Sequence, residues 1–181
     1  MVKFFNWFYT TEVHVFRLIN QYFDRKHVNT FFRTVTHFGG ARFTIAAVLL
    51  LILFTSGTVQ LLAITSAIAL TISHLPVALL KKLFPRKRPY VSLEEIHVLE
   101  NPLQDHSFPS GHTTAIFAII IPFILFYPVL TTILLPLGIA VGVSRIYLGL
   151  HYPTDVLVGC LFGTTAGILS FLFIRMFVLS L

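Results

Sequence analysis

The sequence predicts an all-α integral membrane protein, a bundle of five to six transmembrane helices with amphipathic helices at its N-terminus. Hydrophobic residues make up 56% of the 181-residue chain and charged residues only 11%, whereas a typical soluble domain carries about 25% charged residues. No charged side chain occurs between Arg42 and Lys81, or across residues 113–144. We expect one domain over residues 1–181, with an amphipathic segment at 1–38 and the helical bundle at 39–178.

Turn-forming residues divide the uncharged stretches into segments of spanning length. A transmembrane helix needs about 20 apolar residues. The polar sequence TSGT at 55–58 and the sequence YPVL at 127–130 each interrupt a longer apolar run. We therefore predict five spans, at residues 41–55, 59–80, 111–127, 129–146 and 156–174.

The N-terminal segment has a different pattern, in which apolar residues recur at helical spacing with charged residues between them. The two recurring sets are Val15, Leu18, Ile19, Tyr22 and Val28, Phe31, Phe32, Val35. This pattern is typical of helices that lie on a membrane interface. The alternative is that residues 4–23 form a sixth span. No cleavable signal peptide is evident in residues 1–24, so we expect the spans themselves to target the chain.

Three polar segments are predicted to meet at one end of the bundle. KKLFPRKRPY at 81–90 follows the second span, FPSGHTT at 108–114 opens the third, and SRIYLGLHYPTD at 144–155 joins the fourth to the fifth. Because successive spans cross in opposite directions, counting them brings all three segments to the same side of the membrane.

The first two segments hold groups that suit phosphate binding. The first has five cations within eight residues, including Lys81 and Arg88. In the second, Ser110 and Gly111 stand where a helix begins, and a helix N-terminus offers free amides and a positive dipole end to an anion. His112 follows in the first turn. Taken singly, a snorkelling basic flank, a helix N-cap and an interfacial histidine explain these residues equally well.

The third segment combines a permanent cation with a paired histidine and aspartate. Arg145 is suited to phosphate oxygens. His151 and Asp155 are four residues apart, so the carboxylate can fix the imidazole tautomer if a helix begins near Tyr152 with Pro153 in its first turn. An ordinary buried ion-pair network is the alternative. Burying three cations together without an anion is costly, so the combined segments favour a phosphate site.

Neither a metal nor any other cofactor is expected. Asp155 is the only acid among the three segments, so there is no carboxylate cluster of the kind that holds a metal. The single cysteine, Cys160, excludes an internal disulfide and a cysteine-rich metal site.

In order and spacing, the three segments resemble the signature of the type 2 phosphatidic acid phosphatase superfamily. The matching residues are Lys81-x6-Arg88-Pro89, Pro109-Ser110-Gly111-His112 and Ser144-Arg145-x5-His151-x3-Asp155. The resemblance covers about residues 40–175. It implies a membrane phosphatase that works without metal.

The resemblance also implies a role for each site residue. His151 would attack phosphorus and form a phosphohistidine, Asp155 would orient it, and His112 would protonate the leaving oxygen. The phosphoryl oxygens would be held by Lys81, Arg88, Ser110, the Gly111 amide and Arg145.

The implied substrate is a lipid phosphate whose chains stay in the bilayer, with membrane lipids as the other partners. Phosphatidylglycerophosphate, phosphatidic acid and undecaprenyl pyrophosphate all fit. The formal net charge of +6 then suits an anionic lipid surface or substrate, and no nucleic acid is expected. The first alternative is a non-catalytic anion or lipid-phosphate transporter, which would not need His151 together with Asp155. The second is a vanadium haloperoxidase, a typically soluble enzyme that five spans disfavour.

The expected location is the cell membrane, crossed several times, but two signals disagree about which face carries the site. The site side holds 12 of the 13 Lys and Arg residues and the other side only Arg175, which the positive-inside rule places in the cytoplasm. The resemblance implies the extracytoplasmic face, and we adopt that interpretation.

Three further residues near these segments are open to more than one interpretation. His74 lies seven residues before Lys81 in the second predicted span, where it is either a satisfied core histidine or a group that reaches the site. Asp105 and His106 are expected in a solvated loop, with contact to a lipid headgroup as the alternative.

Overall fold

The computed structural model describes residues 2–100 and 102–177, and all of their regular structure is helical. The α-helices are α1 (Val2–Asn20), α2 (Lys26–Val35), α3 (Ala41–Phe54), α4 (Gly57–Leu83), α5 (Pro89–Ser92), α6 (Gly111–Phe126), α7 (Thr131–Tyr147) and α8 (Pro153–Phe177). Short 3-10 turns, Thr36–Gly39 and Pro128–Leu130, precede α3 and α7. Met1, Asn101 and residues 178–181, which the predicted domain includes, lie outside the described residues.

Five apolar helices lie where the sequence predicts spans, which confirms the all-α membrane fold. Of the described helices, three are long and apolar enough to cross a membrane alone, namely α4, Pro128–Tyr147 and Pro153–Met176. A fourth candidate is the pair Lys26–Gly39 and Ala41–Phe54, which is bent by 56°. Helix α6 has 16 residues, or about 24 Å, less than the hydrocarbon thickness of about 30 Å.

Helix α1 is amphipathic, as predicted, and is not among the described helices that qualify as spans. Its buried face has a four-residue spacing, with Glu12, Phe16 and Asn20 all buried. Trp7 and Leu18 on other faces are exposed. The buried face packs against α7 and α8, so α1 covers the end of the bundle where the polar segments lie.

Helices α4, α6 and α8 form the centre of the bundle and pack through small residues. Ala69, Ala118 and Ala166, one from each helix, form a single buried cluster. A Cβ placed on Gly163 of α8 would lie 2.4 Å from the carbonyl oxygen of Thr114 in α6. Small residues thus allow close contact between the two helices, which fixes the positions of their ends.

The outer surface of the bundle is apolar, as expected for a membrane protein. Large hydrophobic side chains with high exposure project from several helices, among them Leu53, Phe54, Leu75, Ile133 and Leu157. An exposed apolar surface of this extent would be unfavourable in water but is satisfied by lipid.

The segment from 84 to 110 folds over the polar end of the bundle and is tied to its neighbours. The Asn20 side-chain amide donates to the carbonyl oxygens of His97, at 2.8 Å, and Tyr147, at 2.9 Å. Gly149 adopts a positive φ of 75°, and a Cβ there would lie 2.4 Å from the His97 carbonyl oxygen. These contacts join α1, the 84–110 segment and the turn between α7 and α8.

Candidate active site

The three polar segments meet around a cavity of about 520 Å³. Lys81, Arg88, Gly111, His112 and His151 all line this cavity. The first and third segments touch directly, because Arg88 Nη1 lies 3.2 Å from His151 Nε2. The meeting of the segments that span counting predicts is therefore present in the fold.

His151 lies in the turn between α7 and α8 and is almost completely buried. Because a guanidinium can only donate, the Arg88 contact makes Nε2 the acceptor nitrogen and leaves the ring proton on Nδ1. Burial lowers the pKa of the His151 imidazole to about 4, although Asp155 opposes the shift, and the nearby Arg145 and Arg88 lower the pKa further. The ring is therefore neutral at pH 7, with a lone pair on Nε2.

Asp155 is fully buried in the first turn of α8, which begins at Pro153 as predicted. Its Oδ2 accepts from the Tyr152 amide at 2.8 Å and lies 3.6 Å from His151 Nδ1. That separation is longer than a hydrogen bond, and Nδ1 has no other partner among the described residues.

Arg88 is buried and its hydrogen bonds fix it in place. Its guanidinium donates to the Asp105 carbonyl oxygen at 2.7 Å, to Asp105 Oδ1 at 2.6 Å and to the Leu150 carbonyl oxygen at 2.7 Å. Together with the contact to His151 and a bond to the His106 carbonyl oxygen at 3.5 Å, these bonds engage all three guanidinium nitrogens.

Arg145, at the end of α7, is equally buried but has few bonds. Its Nη1 donates to Thr36 Oγ1 at 2.7 Å. Its Nε and Nη2 have no partner within the described parts of the chain. Buried guanidinium donors without acceptors are unusual, and they suit an anionic ligand.

Asp105 lies exposed in a loop, as expected, but it also pairs with two of the predicted phosphate-binding cations. Lys81 Nζ pairs with Asp105 Oδ2 and donates to the His106 carbonyl oxygen at 2.9 Å. Burial raises the pKa of the Asp105 carboxyl, but Lys81 and Arg88 outweigh it and hold that pKa at about 2. The carboxylate is therefore charged at every pH of interest, and its cations hold it at the cavity.

Ser110 and Gly111 begin α6 as predicted, and Ser110 is its N-cap. The Ser110 hydroxyl oxygen accepts from Thr113 Oγ1 at 3.0 Å, and its amide donates to the Asp155 carbonyl oxygen at 3.0 Å. Ser110 is buried behind the cavity lining, whereas a Cβ on Gly111 would meet nothing within 4 Å. The Gly111 position is thus open to a ligand.

His112 and His74 line the same cavity from different depths. His112 lies in the first turn of α6, and a Cβ on Gly40 would lie 3.7 Å from its Nε2. His74 lies about two helical turns from Lys81 in α4, and its Nδ1 is 2.8 Å from the Leu70 carbonyl oxygen of its own helix. His74 thus combines the two alternatives, since it is satisfied within the helix and also faces the cavity.

Sequence reasoning missed four residues that contact the site: Glu12, Thr36, Arg86 and Thr154. Arg86 belongs to the first polar segment, where its spacing does not distinguish it from the neighbouring cations. Glu12 and Thr36 lie outside all three segments. The available signal for Glu12 is its position as a lone carboxylate on the same helical face as Phe16 and Asn20.

Among the described residues, no group of three or more His, Cys, Asp or Glu side chains is arranged to hold a metal ion. The positive charge near the cavity comes from Lys81 and Arg88, which line it, and from Arg145, which is buried close to His112 and His151. The arrangement can bind an anion, offer an imidazole lone pair to it, and supply a second imidazole for proton transfer.

The comparisons with known proteins agree with this geometry. The sequence model of the PAP2 superfamily matches residues 57–178. The chain is 33% identical over 112 residues to the bacitracin transport permease protein BcrC of Bacillus licheniformis, covering 62% of this chain and 55% of that protein. It is 42% identical over 88 residues to the undecaprenyl-diphosphatase BcrC of Bacillus subtilis, covering 49% of this chain and 44% of that protein. The chain thus spans about half the length of these curated relatives.

A solved structure has the same fold over most of the chain. The crystal structure of Aquifex aeolicus LpxE superimposes with a TM-score of 0.74 and 29% sequence identity, covering 87% of this chain and 93% of that one. This match extends beyond the residues of the family match.

Proposed function

Because the chain belongs to the PAP2 superfamily, we propose that it is a membrane lipid phosphatase. It would hydrolyse the phosphomonoester or pyrophosphate of a lipid through a phosphohistidine on His151. The observation that carries the proposal is the buried, neutral His151 ring, whose Nε2 lone pair lies at a cavity lined by Lys81, Arg88 and His112.

The reaction proceeds in two displacements. The hydrogen bond from Arg88 Nη1 to Nε2 first breaks. The Nε2 lone pair then attacks phosphorus, the bond from phosphorus to the leaving oxygen breaks, and His112, whose protonation the bound phosphate dianion favours, gives a proton to that oxygen. Water then attacks the phosphohistidine, the phosphorus–nitrogen bond breaks, and His112 takes the proton from water. Asp155 stabilises the His151 ring through Nδ1 in both steps. A transporter would have no use for this pair.

The phosphoryl oxygens are bound by cations and by the start of α6, and we propose that no metal is needed. Arg145 brings two buried donors without acceptors, and Lys81 and Arg88 line the cavity. The Gly111 amide completes the set at the N-terminus of α6. The Ser110 hydroxyl was expected to join it, but it is buried, does not line the cavity and caps the helix, so we propose that it supports the Gly111 amide rather than contacting phosphate.

A lipid substrate is favoured by the lining of the cavity. Besides the cations, apolar side chains from α3, α4, the 84–110 segment and α6 line the cavity: Ile45, Leu70, Leu103 and Ala115. The phosphate and the first part of a hydrocarbon chain would fit there together, with the rest of the chain in the bilayer. We propose undecaprenyl pyrophosphate, phosphatidic acid or phosphatidylglycerophosphate as the substrate, at the extracytoplasmic face of the cell membrane.

The test is phosphate release by purified protein in detergent, with those three lipids as substrates. We expect release from at least one lipid, with little change on adding a chelator. His151→Ala is expected to abolish it, because no other group replaces the attacking lone pair. His27→Ala, which removes an exposed imidazole on α2, is the matched control and should retain full activity.

Two results would contradict the proposal. One is undiminished phosphate release by His151→Ala. The other is a strict requirement for a divalent metal, which would oppose the metal-free reaction while leaving the lipid substrate in place. Quenching the wild-type reaction with an alkaline denaturant should also trap a phosphoenzyme that is stable in base, labile in acid and absent from His151→Ala.

A further inference from the structure

A buried carboxylate outside the three polar segments contacts the start of α8. The Glu12 side chain of α1 is 5% exposed. Its Oε1 accepts from the Thr154 amide at 3.1 Å and from the Thr154 hydroxyl. Its Oε2 accepts from Arg86 Nη2 at 2.5 Å. Glu12 therefore binds the first turn of the helix that carries Asp155.

Arg86 joins Glu12 to Asp155. Its Nη1 donates to Asp155 Oδ1 and to the Thr154 hydroxyl, both at 2.8 Å. Its guanidinium also stacks over the Tyr152 ring, 3.9 Å from the ring centroid. With Tyr152 N bound to Oδ2, both oxygens of the Asp155 carboxylate are held in place.

We propose that Glu12 and Arg86 are positioning residues, which hold the Asp155 carboxylate in the orientation that aligns His151. This inference rests on the proposed function, since it concerns the step in which His151 attacks phosphorus. Neither residue is among those that line the cavity, so both act through Asp155.

The location of Glu12 makes α1 part of the catalytic apparatus. Glu12 lies outside residues 57–178, the part of the chain that the family model matches. Helix α1 presents Glu12 beside Phe16, whose ring lies 6.0 Å from that of Tyr152. Docking of α1 therefore places both the Glu12 carboxylate and the Phe16 ring beside the Arg86–Tyr152 contact.

The charges of the pair predict opposite effects on His151. The other charged or titratable groups around His151 are Arg88, Arg145, His112 and Asp155. Replacing Arg86 by Gln removes a positive charge next to Asp155, so protonation of His151 becomes more favourable and its pKa rises. Replacing Glu12 by Gln leaves Arg86 uncompensated, so the pKa of His151 falls.

The experiment measures kcat, KM and the pH dependence of kcat/KM for Glu12→Gln, Arg86→Gln and the double variant. The acid limb of that profile, the fall in kcat/KM at low pH, reports protonation of His151. We expect kcat to fall about tenfold in Glu12→Gln, or about 1.4 kcal/mol, and further in Arg86→Gln, with KM little changed. The loss in the double variant should be smaller than the product of the two single losses, because Glu12 and Arg86 hold the same carboxylate. The acid limb should move to higher pH in Arg86→Gln and to lower pH in Glu12→Gln.

Glu94→Gln and Lys87→Gln are the matched controls, since both side chains are exposed and Lys87 adjoins Arg86. Unchanged acid limbs in Glu12→Gln and Arg86→Gln, or losses that multiply in the double variant, would overturn the proposal. If Glu12 and Arg86 had only a structural role, the two variants would contain a smaller fraction of active protein, and the acid limbs of their pH profiles would not move.

A second measurement keeps this inference separate from the proposed function. The His151 resonance, assigned by its absence in His151→Ala, can be titrated by NMR without any turnover. If the wild type releases no phosphate, the proposed function fails, yet opposite shifts of the His151 pKa in the two variants would still support the pairing. If the wild type is active and the His151 pKa stays constant in both variants, the pairing alone is wrong.

Discussion

Two buried arginines at the site, Arg88 and Arg145, have opposite hydrogen-bond states. Arg88 comes from the 84–110 segment, and its guanidinium is bound by backbone carbonyls and by Asp105. Arg145 comes from the end of α7, and one hydrogen bond to Thr36 is its only side-chain contact of this kind among the described residues. Each side chain is 2% exposed, so the difference does not come from burial.

This difference in hydrogen bonding suggests different roles for Arg88 and Arg145. A charge that is buried and fully bonded contributes to the fold and keeps its position, whereas one with free donors raises the free energy of the folded state until an anion binds. We infer that Arg88 mainly orders the site and its contact with His151, and that Arg145 mainly binds the phosphoryl group.

The largest effect is expected from Arg145→Gln. Losing the free donors should lower kcat/KM about a thousandfold, the upper range for one group that stabilises a developing anion. The unfolding temperature in detergent should not fall, because an uncompensated buried charge is removed. Phosphate-release assays and thermal unfolding of the same sample measure both quantities.

Inorganic phosphate gives a second measure for this variant. It should raise the unfolding temperature of the wild type, because a ligand that binds only the folded state stabilises it. Arg145→Gln should lose most of this increase. A variant that unfolds at a clearly lower temperature, while keeping its activity, would show that Arg145 is a structural cation.

Arg88→Gln should show the reverse balance. It leaves the carbonyl oxygens of Leu150 and Asp105 without their donor, at a cost of about 2 kcal/mol in the free energy of unfolding. Activity should fall less than in Arg145→Gln, and phosphate should still raise the unfolding temperature. If Arg88→Gln is as stable as the wild type and no longer responds to phosphate, the proposed division between the two arginines is wrong.

The site residues that could be predicted from the sequence are those whose local spacing indicates their position in the fold. His151 and Asp155 are four apart at a helix start marked by Pro153, and Ser110 stands directly before α6. The apolar helices were predictable for the same reason, since hydropathy and interrupting residues are local properties. The 56° bend between Lys26–Gly39 and Ala41–Phe54 falls at the Gly39-Gly40 pair, which marks a break in the sequence but does not set its angle.

The residues that sequence reasoning missed are defined by contacts between distant parts of the chain. Thr36 and Arg145 are 109 positions apart, and Glu12 and Thr154 are 142 apart. The helical face that Glu12 shares with Phe16 and Asn20 is a weak signal in the sequence, and Glu12 is buried because that face docks on the bundle. Arg86 and Lys87 are adjacent cations, and only the fold turns Arg86 inward and leaves Lys87 exposed.

The smallest effect is expected from Asp105→Asn, which tests how Arg88 and Lys81 are prepared for phosphate. The Asp105 carboxylate pairs with both cations, so a phosphoryl group must share or displace it. Removing its charge should lower KM and the inhibition constant of inorganic phosphate up to about fivefold, the size of an exposed ion pair, with kcat unchanged. Because the pKa of Asp105 is held at about 2, the decrease in KM and in the inhibition constant should be the same from about pH 5 to pH 8. Glu100→Gln, at an exposed carboxylate in the same segment, should change neither constant. A fall in kcat together with a rise in KM would show that Asp105 instead holds the two cations in place, which would extend the ordering role from Arg88 to its partner.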